Sequence, residues 1–325
     1  MLDLDGPRDG QEQPLTVAVW YPTTAEPKGH LYGGAVHGLV ATDAAPREGG
    51  LYPLLVFSHG YGGSGISSVF FTEALAARGW IVACPDHRDR YSAVRIRTGA
   101  QKDVDRRGLL KHGREIAASG PGDRDKYLYR LDELRRTLDG LLASEPLGRL
   151  IDRDRIAAGG HSLGGFTALG LCGTIPERHD ARIRAVLLFS TGAGGYLFTG
   201  AELAAVKIPS MFYLGKRERV QNRRRGEHTM AELADKVYAN LPPPKYMLEI
   251  KEAHHFSFNN CFAEAPRALG MGGTEEQFEL IRRYSTAFLE RYVAGREDAA
   301  RVLEQRAPLL TRYLMETGPD KDQPR

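Results

Sequence analysis

The sequence predicts an α/β protein in which helices cover both faces of one mostly parallel sheet. Three observations lead to this fold class. Short apolar runs typical of buried parallel strands alternate along the chain with segments of helical periodicity. A glycine-rich turn at residues 159–165 joins one of these runs directly to a helix. The 325 residues suffice for one large domain, and we expect a single domain over residues 1–325.

The predicted strands are apolar throughout, as expected where a sheet is buried on both faces. An earlier run, residues 15–21, instead alternates β-forming residues and ends at Pro22, which is typical of an edge strand. Residues 23–50 are rich in Gly, Ala and Pro, and we interpret them as a loop. The buried strands are predicted at residues 54–58, 80–84, 155–158, 185–190, 210–214 and 245–250.

The predicted helices repeat apolar residues with the period of an α-helix. Gly79 suits the position after the first helix, and Thr274 with Gln277 matches a capping box at the start of a later one. The helices are predicted at residues 67–78, 127–145, 163–172, 227–241 and 275–293. A C-terminal helical extension is expected at about 297–325, with its helix over residues 297–315.

Residues 86–126 differ from the rest of the chain because they are dense in Arg, Lys and Asp and lack apolar periodicity. We expect this stretch to be a charged excursion over the surface and a candidate lid. Most of its charges are interpreted as a solvated face. The alternative is that Arg88, Arg90 or Arg95 recognises an anionic or phosphate-bearing substrate, since guanidinium groups match such anions.

The composition excludes several classes of protein. Hydrophobic residues make up 42% and charged residues 26% of the chain, and no apolar run approaches the roughly 18 to 20 residues of a membrane span. No stable membrane anchor is therefore expected. A net charge of +3 is too small to indicate a nucleic-acid partner. The polar N-terminal residues predict a cytoplasmic protein, with a removed export signal as the alternative. The composition does not distinguish a monomer from a homo-oligomer.

The cysteines and histidines indicate no metal site. Cys84, Cys172 and Cys261 are too few and too scattered for a disulfide framework or a zinc site, and we interpret them as small buried hydrophobes. The chain contains no H-E-x-x-H pattern. We therefore expect neither a metal nor a cofactor.

The glycine-rich turn contains a G-x-S-x-G motif at residues 160–164. Between a strand and a helix, this pattern makes a turn so sharp that the serine backbone is strained, and the glycines make room for it. Ser162 would then be an exposed nucleophile at the N-terminus of the helix. The N–H of Leu163 would be free to bind a developing oxyanion.

A nucleophilic serine needs a base, and the base needs an acid to orient it. In the chain order serine, acid, histidine, each group follows a strand. His254 and His255 come directly after the last predicted strand, and His255 is the candidate base because Phe256 then begins a turn back toward the body of the protein. The alternative is that both are surface loop histidines.

Glu218 is the candidate acid because it follows the predicted strand at residues 210–214. A glutamate reaches one methylene further than an aspartate and can orient the imidazole in the same way. Lys216, Arg217 and Arg219 surround Glu218 in the sequence. The alternative interpretation is therefore a solvated charged turn.

A second oxyanion donor is expected in the HGYGG loop at residues 59–63, after the strand at residues 54–58. The glycines of this loop would let the N–H of Tyr61 approach the serine closely. The Tyr61 phenol and Phe256 are the candidate substrate-binding side chains. Together with Leu163, Tyr61 completes the predicted oxyanion hole.

The same loop supports a rival function. Residues 60–65 match G-x-G-x-x-G between a strand and a helix, and Asp86 lies about 20 residues further on. One alternative is therefore a dinucleotide-binding oxidoreductase, although it leaves Ser162 and His255 unexplained. The other alternative is a non-catalytic binding module on a hydrolase fold.

Four stretches of the chain resemble α/β-hydrolases close to the platelet-activating factor acetylhydrolases and their bacterial dienelactone-hydrolase-like relatives. They read VWYP, FSHGYGG, GWIVACPDHRDRYSA and IDRDRIAAGGHSLGG. The HRDR stretch is the most specific, since the other motifs recur across many hydrolases. The resemblance implies an α/β-hydrolase fold and esterase chemistry on short acyl groups without metal or cofactor. It also implies Ser162 as nucleophile, His255 as base, and Leu163 and Tyr61 as oxyanion donors.

This chain departs from the pattern of the acetylhydrolases at the position of the triad acid. The acetylhydrolases carry their triad aspartate after the strand at residues 185–190, where this chain has Ser190. Other hydrolases place the acid after the next strand, at a G-x-x-D to which residues 215–218 correspond, and this favours Glu218. The predicted function is a serine carboxylesterase acting through an acyl-enzyme on a small-molecule ester, with platelet-activating-factor-like esters among the candidates.

Overall fold

A computed structural model describes residues 1–4, 14–34, 36–101, 103–192, 197–220, 224–225, 228–260 and 272–318. The strands are β1 (Leu2–Leu4), β2 (Leu15–Trp20), β3 (Lys28–Tyr32), β4 (Val36–Val40), β5 (Tyr52–Ser58), β6 (Ile81–Pro85), β7 (Val94–Arg95), β8 (Gly99–Ala100), β9 (Ile151–His161), β10 (Ile183–Phe189), β11 (Ser210–Gly215), β12 (Arg224–Arg225), β13 (His228–Thr229), β14 (Lys245–Ile250) and β15 (Leu310–Glu316). The α-helices are α1 (Val69–Ala77), α2 (Arg106–Ala118), α3 (Tyr129–Ala143), α4 (Leu163–Leu169), α5 (Gly200–Ala204), α6 (Lys216–Val220), α7 (Met230–Asn240), α8 (Glu275–Tyr292) and α9 (Ala300–Leu303).

The described part of the chain forms one nine-stranded sheet in the order β1-β2-β6-β5-β9-β10-β11-β14-β15. The six strands from β6 to β14 in this order run parallel. At the two edges, β1, β2 and β15 pair antiparallel. This arrangement confirms the predicted mostly parallel sheet.

The central strand β5 shows why the buried strands are continuous apolar runs. Leu54 and Val56 lie in a core beneath α3 and α4, whereas Leu55 and Phe57 lie in a second core beneath α1 and α8. Successive side chains of a strand point to opposite faces of its sheet. Both faces of the sheet are therefore covered by helices, and no position of β5 is left for a polar face.

The predicted C-terminal helix is wrong beyond Leu303. Pro308 cannot continue a helix, because it lacks an N–H and restricts the residue before it. After it, β15 pairs antiparallel with β14, so that Leu314 lies opposite Met247. The segment predicted as a helical extension thus supplies an edge strand of the sheet.

Smaller differences concern three other segments. β2 is not an edge strand, because β1 pairs with its outer side. Residues 23–50 contain the antiparallel ribbon of β3 and β4 rather than loop alone. Residues 86–126 contain α2, whose N-cap Asp105 accepts a hydrogen bond from the Gly108 N–H. Ile116 is the buried residue of α2, so the apolar periodicity that would have predicted this helix is weak.

None of the helices in the described ranges is long and apolar enough to cross a membrane. Cys84 and Cys172 are free thiols inside the core, and burial raises the pKa of each. Cys261 lies outside the described residues.

Candidate active site

The turn between β9 and α4 holds Ser162 in a strained backbone conformation. Ser162 has φ +53° and ψ −119°, and its N–H donates to the Phe189 carbonyl at 2.9 Å. A Cβ on Gly160 would lie 2.2 Å from the Gly164 carbonyl oxygen, and one on Gly164 would lie 2.0 Å from that of Ser58. Such backbone strain costs on the order of 1–3 kcal/mol. The geometry is that of a nucleophile elbow.

His255 and Glu218 meet at the carboxyl ends of two adjacent parallel strands. Glu218 lies in α6 directly after β11, and His255 follows β14. Nδ1 of the imidazole is 3.2 Å from Oε2 of Glu218. The other carboxylate oxygen, Oε1, accepts the Gly215 N–H at 2.9 Å. Glu218 is 6% exposed, so its carboxylate is directed inward.

The basic neighbours of Glu218 bind other carboxylates. Nη2 of Arg217 lies 2.6 Å from Oε2 of Glu252, and Nη2 of Arg219 lies 3.0 Å from Oδ1 of Asp235. These guanidinium groups therefore do not occupy the Glu218 carboxylate. A solvated charged turn does not describe this arrangement, because Glu218 is buried between its backbone donor and the imidazole.

His254 and Phe256 flank His255 and differ from it in surroundings. Nδ1 of His254 accepts the Phe256 N–H at 3.2 Å, so this histidine caps the turn that contains its neighbour. Burial lowers the pKa of His254. The Phe256 ring is 42% exposed, and its centroid lies 5.3 Å from that of the His255 ring.

His161 links the elbow to His255. Its Nε2 donates to the His255 carbonyl at 2.9 Å, and the two ring centroids are 4.9 Å apart. Ser162, the next residue, makes no side-chain hydrogen bond to His255 in the described structure, and Nε2 of His255 has no partner among the described residues. Catalytic hydrogen bonds often form only when substrate is bound. The structure therefore brings the acid and base together, and the residue before Ser162 contacts the base.

The HGYGG loop lies against the elbow. A Cβ on Gly60 would be 2.7 Å from Nδ1 of His161 and 3.2 Å from Cβ of Ser162. The Tyr61 N–H donates to none of the described residues. The N–H of Leu163, as the first residue of α4, has no acceptor within the helix. Both N–H groups are thus without an acceptor among the described residues, and Gly60, which precedes Tyr61, lies against Ser162.

The Tyr61 side chain connects the HGYGG loop to α2. Its hydroxyl lies 2.9 Å from Nδ1 of His112, and the two rings meet edge to face at 5.1 Å. Leu109 of α2 lies against Gly62, 3.2 Å from where a Cβ would be. α2, in the charged segment at residues 86–126, therefore packs against the HGYGG loop.

A buried ion pair holds the start of the HGYGG loop. Nε and Nη2 of Arg130 donate to the two oxygens of Asp89 at 2.9 and 2.6 Å, and Nη1 donates to the His59 carbonyl at 2.8 Å. Both side chains are completely buried. Burial alone would raise the pKa of Asp89, but the charge and hydrogen bonds of Arg130 outweigh it and hold that pKa below its ordinary value.

Three further side chains form a Ser-His-Glu arrangement inside the protein. Ser58 Oγ lies 2.7 Å from Nε2 of His87, and Nδ1 of His87 lies 2.9 Å from Oε2 of Glu133. The three residues are 0%, 0% and 5% exposed. No substrate can reach a serine at this depth, so we interpret the arrangement as support for the end of β5 and the loop that follows it.

The arginines considered for anion recognition differ in their contacts. Arg95 donates to the His87 and Asp89 carbonyls, and thus holds the backbone of this segment. The guanidinium of Arg88 lies over the Tyr129 ring, 5.0 Å from its centroid. Arg90 is exposed beside Tyr91. Of the three, Arg95 is therefore the least available to an anionic substrate.

Two buried histidines make the stability of the protein depend on pH. Burial lowers the pKa of His59 and of His161 well below the ordinary value of about 6.5. Below about pH 6.5 the unfolded chain therefore binds more protons than the folded protein. The stability that is present above this pH is lost as the pH falls. Each histidine contributes a slope of up to about 1.4 kcal/mol per pH unit.

We expect His161→Gln to reduce the slope of the unfolding free energy against pH by about 1.4 kcal/mol per pH unit between pH 5 and 6. This reduction corresponds to one fewer proton taken up on unfolding. Urea unfolding at several pH values measures this slope. His37→Gln, which replaces an exposed histidine, is the matched control and should leave the slope unchanged. Equal slopes in all three proteins would show that His161 is not held neutral.

The dinucleotide alternative is not favoured by this geometry. Asp86, which would bind a ribose, instead accepts the Gly65 N–H at 2.9 Å and the Ile96 N–H at 2.8 Å. A Cβ on Gly65 would lie 2.4 Å from the Cys84 carbonyl oxygen, so this glycine serves internal packing. In the described part of the chain, His, Cys, Asp and Glu side chains form no group that could hold a metal ion.

Comparison with known proteins supports the predicted resemblance. Residues 29–115 match the family model "Platelet-activating factor acetylhydrolase, isoform II", a segment that contains the HGYGG loop and ends before Ser162. The platelet-activating factor acetylhydrolase of Cavia porcellus is 26% identical over 278 residues, covering 76% of this chain and 59% of that protein. The same enzyme of Bos taurus is 27% identical over 214 residues, covering 59% of this chain and 46% of that protein. The chain thus spans about half the length of these relatives.

The fold also occurs in a solved structure. The ferulic acid esterase from Streptomyces cinnamoneus superposes with a TM-score of 0.68 at 21% sequence identity, covering 96% of this chain and 91% of that one. The chain has the α/β-hydrolase fold and resembles the platelet-activating factor acetylhydrolases.

Proposed function

We propose that this protein is a serine carboxylesterase that hydrolyses esters of short acyl groups through an acyl-enzyme. The observation that carries the proposal is the His255 imidazole, held at Nδ1 by Glu218 and placed beside the Ser162 elbow. The elbow, the base and the acid follow strands in the order that this fold uses. The acetylhydrolase relatives support ester hydrolysis as the reaction.

In the first half of the proposed reaction, Ser162 Oγ attacks the ester carbonyl carbon while Nε2 of His255 takes the hydroxyl proton. The carbonyl oxygen becomes an oxyanion, which the N–H groups of Leu163 and Tyr61 stabilise. The C–O bond to the alcohol then breaks, and His255 returns the proton to the departing alcohol oxygen. Glu218 keeps the imidazole in the Nδ1–H tautomer and stabilises its positive charge.

In the second half, water replaces the alcohol. His255 removes a proton from this water as it attacks the acyl carbon, and the same two N–H groups hold the new oxyanion. The bond between Ser162 Oγ and the acyl carbon then breaks, and the serine regains its proton. The products are a carboxylic acid and the free enzyme.

Two aromatic side chains are the candidates for contact with the substrate. The half-buried Tyr61 ring and the exposed Phe256 ring flank the reacting groups with apolar surface, and α2 covers the Tyr61 side. The acetylhydrolase relatives favour a small acyl group. Platelet-activating-factor-like esters carry such a group, and they belong to the candidate substrates together with other small esters.

A series of p-nitrophenyl esters from acetate to decanoate tests the proposal. We expect turnover to be highest for the shortest acyl chains and to fall steadily as the chain lengthens. A fluorophosphonate probe should label the protein at Ser162. A folded protein that hydrolyses no ester and resists the probe would contradict the proposal and favour a binding module on this fold.

Glu218→Gln is expected to lower kcat by about 10²- to 10⁴-fold and to leave the fold intact, because an amide cannot stabilise the imidazolium or enforce its tautomer. Glu252→Gln is the matched control, since it also neutralises a carboxylate near α6 but one that is exposed and paired with Arg217. Steady-state kinetics on p-nitrophenyl acetate compare the two. An unchanged kcat in Glu218→Gln would mean that the acid lies elsewhere.

A further inference from the structure

Ser190 lies between the candidate base and the candidate acid. It follows β10 with φ +46°, and its N–H donates to the Tyr213 carbonyl at 2.9 Å. Its side chain is completely buried. Oγ is 2.5 Å from Oε2 of Glu218 and 2.7 Å from Nδ1 of His255. The direct distance from Nδ1 to Oε2, 3.2 Å, is the longest of the three.

Donor and acceptor roles in this triangle follow from the chemistry of its members. An ionised carboxylate only accepts hydrogen bonds, so the Ser190 hydroxyl must donate to Glu218. The length of 2.5 Å is typical of a hydroxyl bound to a carboxylate. With its proton engaged, Oγ can only accept from Nδ1 of His255. That nitrogen must then carry the proton, which leaves Nε2 as the basic nitrogen.

We propose that Ser190 is a positioning residue that connects Glu218 to His255 by a hydrogen-bonded chain and selects the Nδ1–H tautomer. This inference rests on the proposed serine esterase function. The Ser190 hydroxyl forms and breaks no covalent bond and transfers no proton. The hydroxyl polarises toward the carboxylate and thereby becomes a better acceptor for the imidazole N–H, which stabilises the imidazolium formed during attack.

The ends of two adjacent strands place Ser190 between the acid and the imidazole. Glu218 reaches the imidazole from the end of β11, and its Oε1 is held by the Gly215 N–H. Ser190 stands at the end of the adjacent strand β10, one residue beyond the pair formed by Phe189 and Tyr213. A short side chain at that position fills the space between the carboxylate and the ring. An aspartate there would bring its own carboxylate to Nδ1.

Kinetics of Ser190→Ala on p-nitrophenyl acetate test the proposal. We expect kcat to fall about 10- to 100-fold, the effect of a hydrogen bond to a charged group, with KM changed less than about 2-fold. Ser190→Gly removes the same hydroxyl and suits the positive φ, so it serves if the Ala variant does not fold. Ser285→Ala, which removes another fully buried hydroxyl that contacts Tyr213 at 2.9 Å, is the control and should leave kcat unchanged.

Two further variants separate positioning from packing. Ser190→Ala combined with Glu218→Gln should be no slower than Glu218→Gln alone, because the two groups act through one chain. Ser190→Asp combined with Glu218→Gln should recover about 10-fold or more of the kcat lost in Glu218→Gln, because the new carboxylate reaches Nδ1 directly. Independent, additive losses and no recovery would overturn the proposal.

The tautomer itself is measured by ¹⁵N chemical shifts of His255 at pH 8. The Nδ1–H form should dominate in the parent and in Ser285→Ala, whereas Ser190→Ala should show a mixture of tautomers. If the parent hydrolyses esters and Ser162→Ala does not, but Ser190→Ala matches Ser285→Ala in kcat and tautomer, the role of Ser190 is refuted while the esterase function stands. An inert parent that resists the fluorophosphonate refutes the function on which the inference rests.

Discussion

Ser162→Ala is expected to lower kcat for p-nitrophenyl acetate by about 10⁴-fold or more, because no other described hydroxyl combines a strained turn beside the candidate base with partial exposure to solvent. KM should change little, since the methyl group of the substituted alanine keeps the shape of the elbow. Any residual rate above that in water reflects the two oxyanion donors and substrate binding. Initial rates across the ester series, with the protein in excess where turnover is slow, measure the loss.

The fold should survive this change. Alanine keeps the Cβ of serine and removes one hydroxyl that makes no side-chain hydrogen bond to a described residue, so the urea midpoint of Ser162→Ala should match that of the parent. The fluorophosphonate should label the parent and Ser285→Ala but not Ser162→Ala. Equal hydrolysis by parent and Ser162→Ala would show that the elbow is structural and that another group does the chemistry.

The sheet was predictable from the sequence because its central strands are buried on both faces. Such strands are continuous apolar runs, and β11 and β14 begin at the predicted residues. The capping box at Thr274 and Gln277 likewise starts α8 as predicted, because it depends on local hydrogen bonds alone. Signals of this kind are contained within a few neighbouring residues.

Features that depend on distant partners were not predictable in the same way. The strand β15 is stabilised by pairing with β14. Its own sequence predicts a helix if the break at Pro308 is ignored. The bridging position of Ser190 exists only because two strands and one loop end at the same edge of the sheet. Arg130 would be expected on the surface of its helix, and its contacts with Asp89 and the His59 carbonyl, both far away in sequence, explain its burial.

Arg130→Met is expected to destabilise the protein by about 3–5 kcal/mol, because it leaves the Asp89 carboxylate buried without its partner. Methionine matches the length of the aliphatic part of arginine, so the loss comes from charge rather than from a cavity. The urea midpoint measures the change. Lys126→Met, which removes an exposed cation paired with Asp123, is the control and should leave the midpoint where it is. A shift no larger than that of the control would mean that Asp89 is solvated or neutral.

Adding Asp89→Asn to Arg130→Met should recover part of the stability, since it removes the unpaired charge. It should not recover all of it, because the His59 carbonyl still lacks the donor that Nη1 supplied. That carbonyl lies two residues before Tyr61, whose N–H is a candidate oxyanion donor. The folded double variant should therefore show kcat lowered by about 10²- to 10³-fold, as when one oxyanion donor is lost. Full activity would show that the ion pair does not affect the HGYGG loop and acts only on the stability of the core.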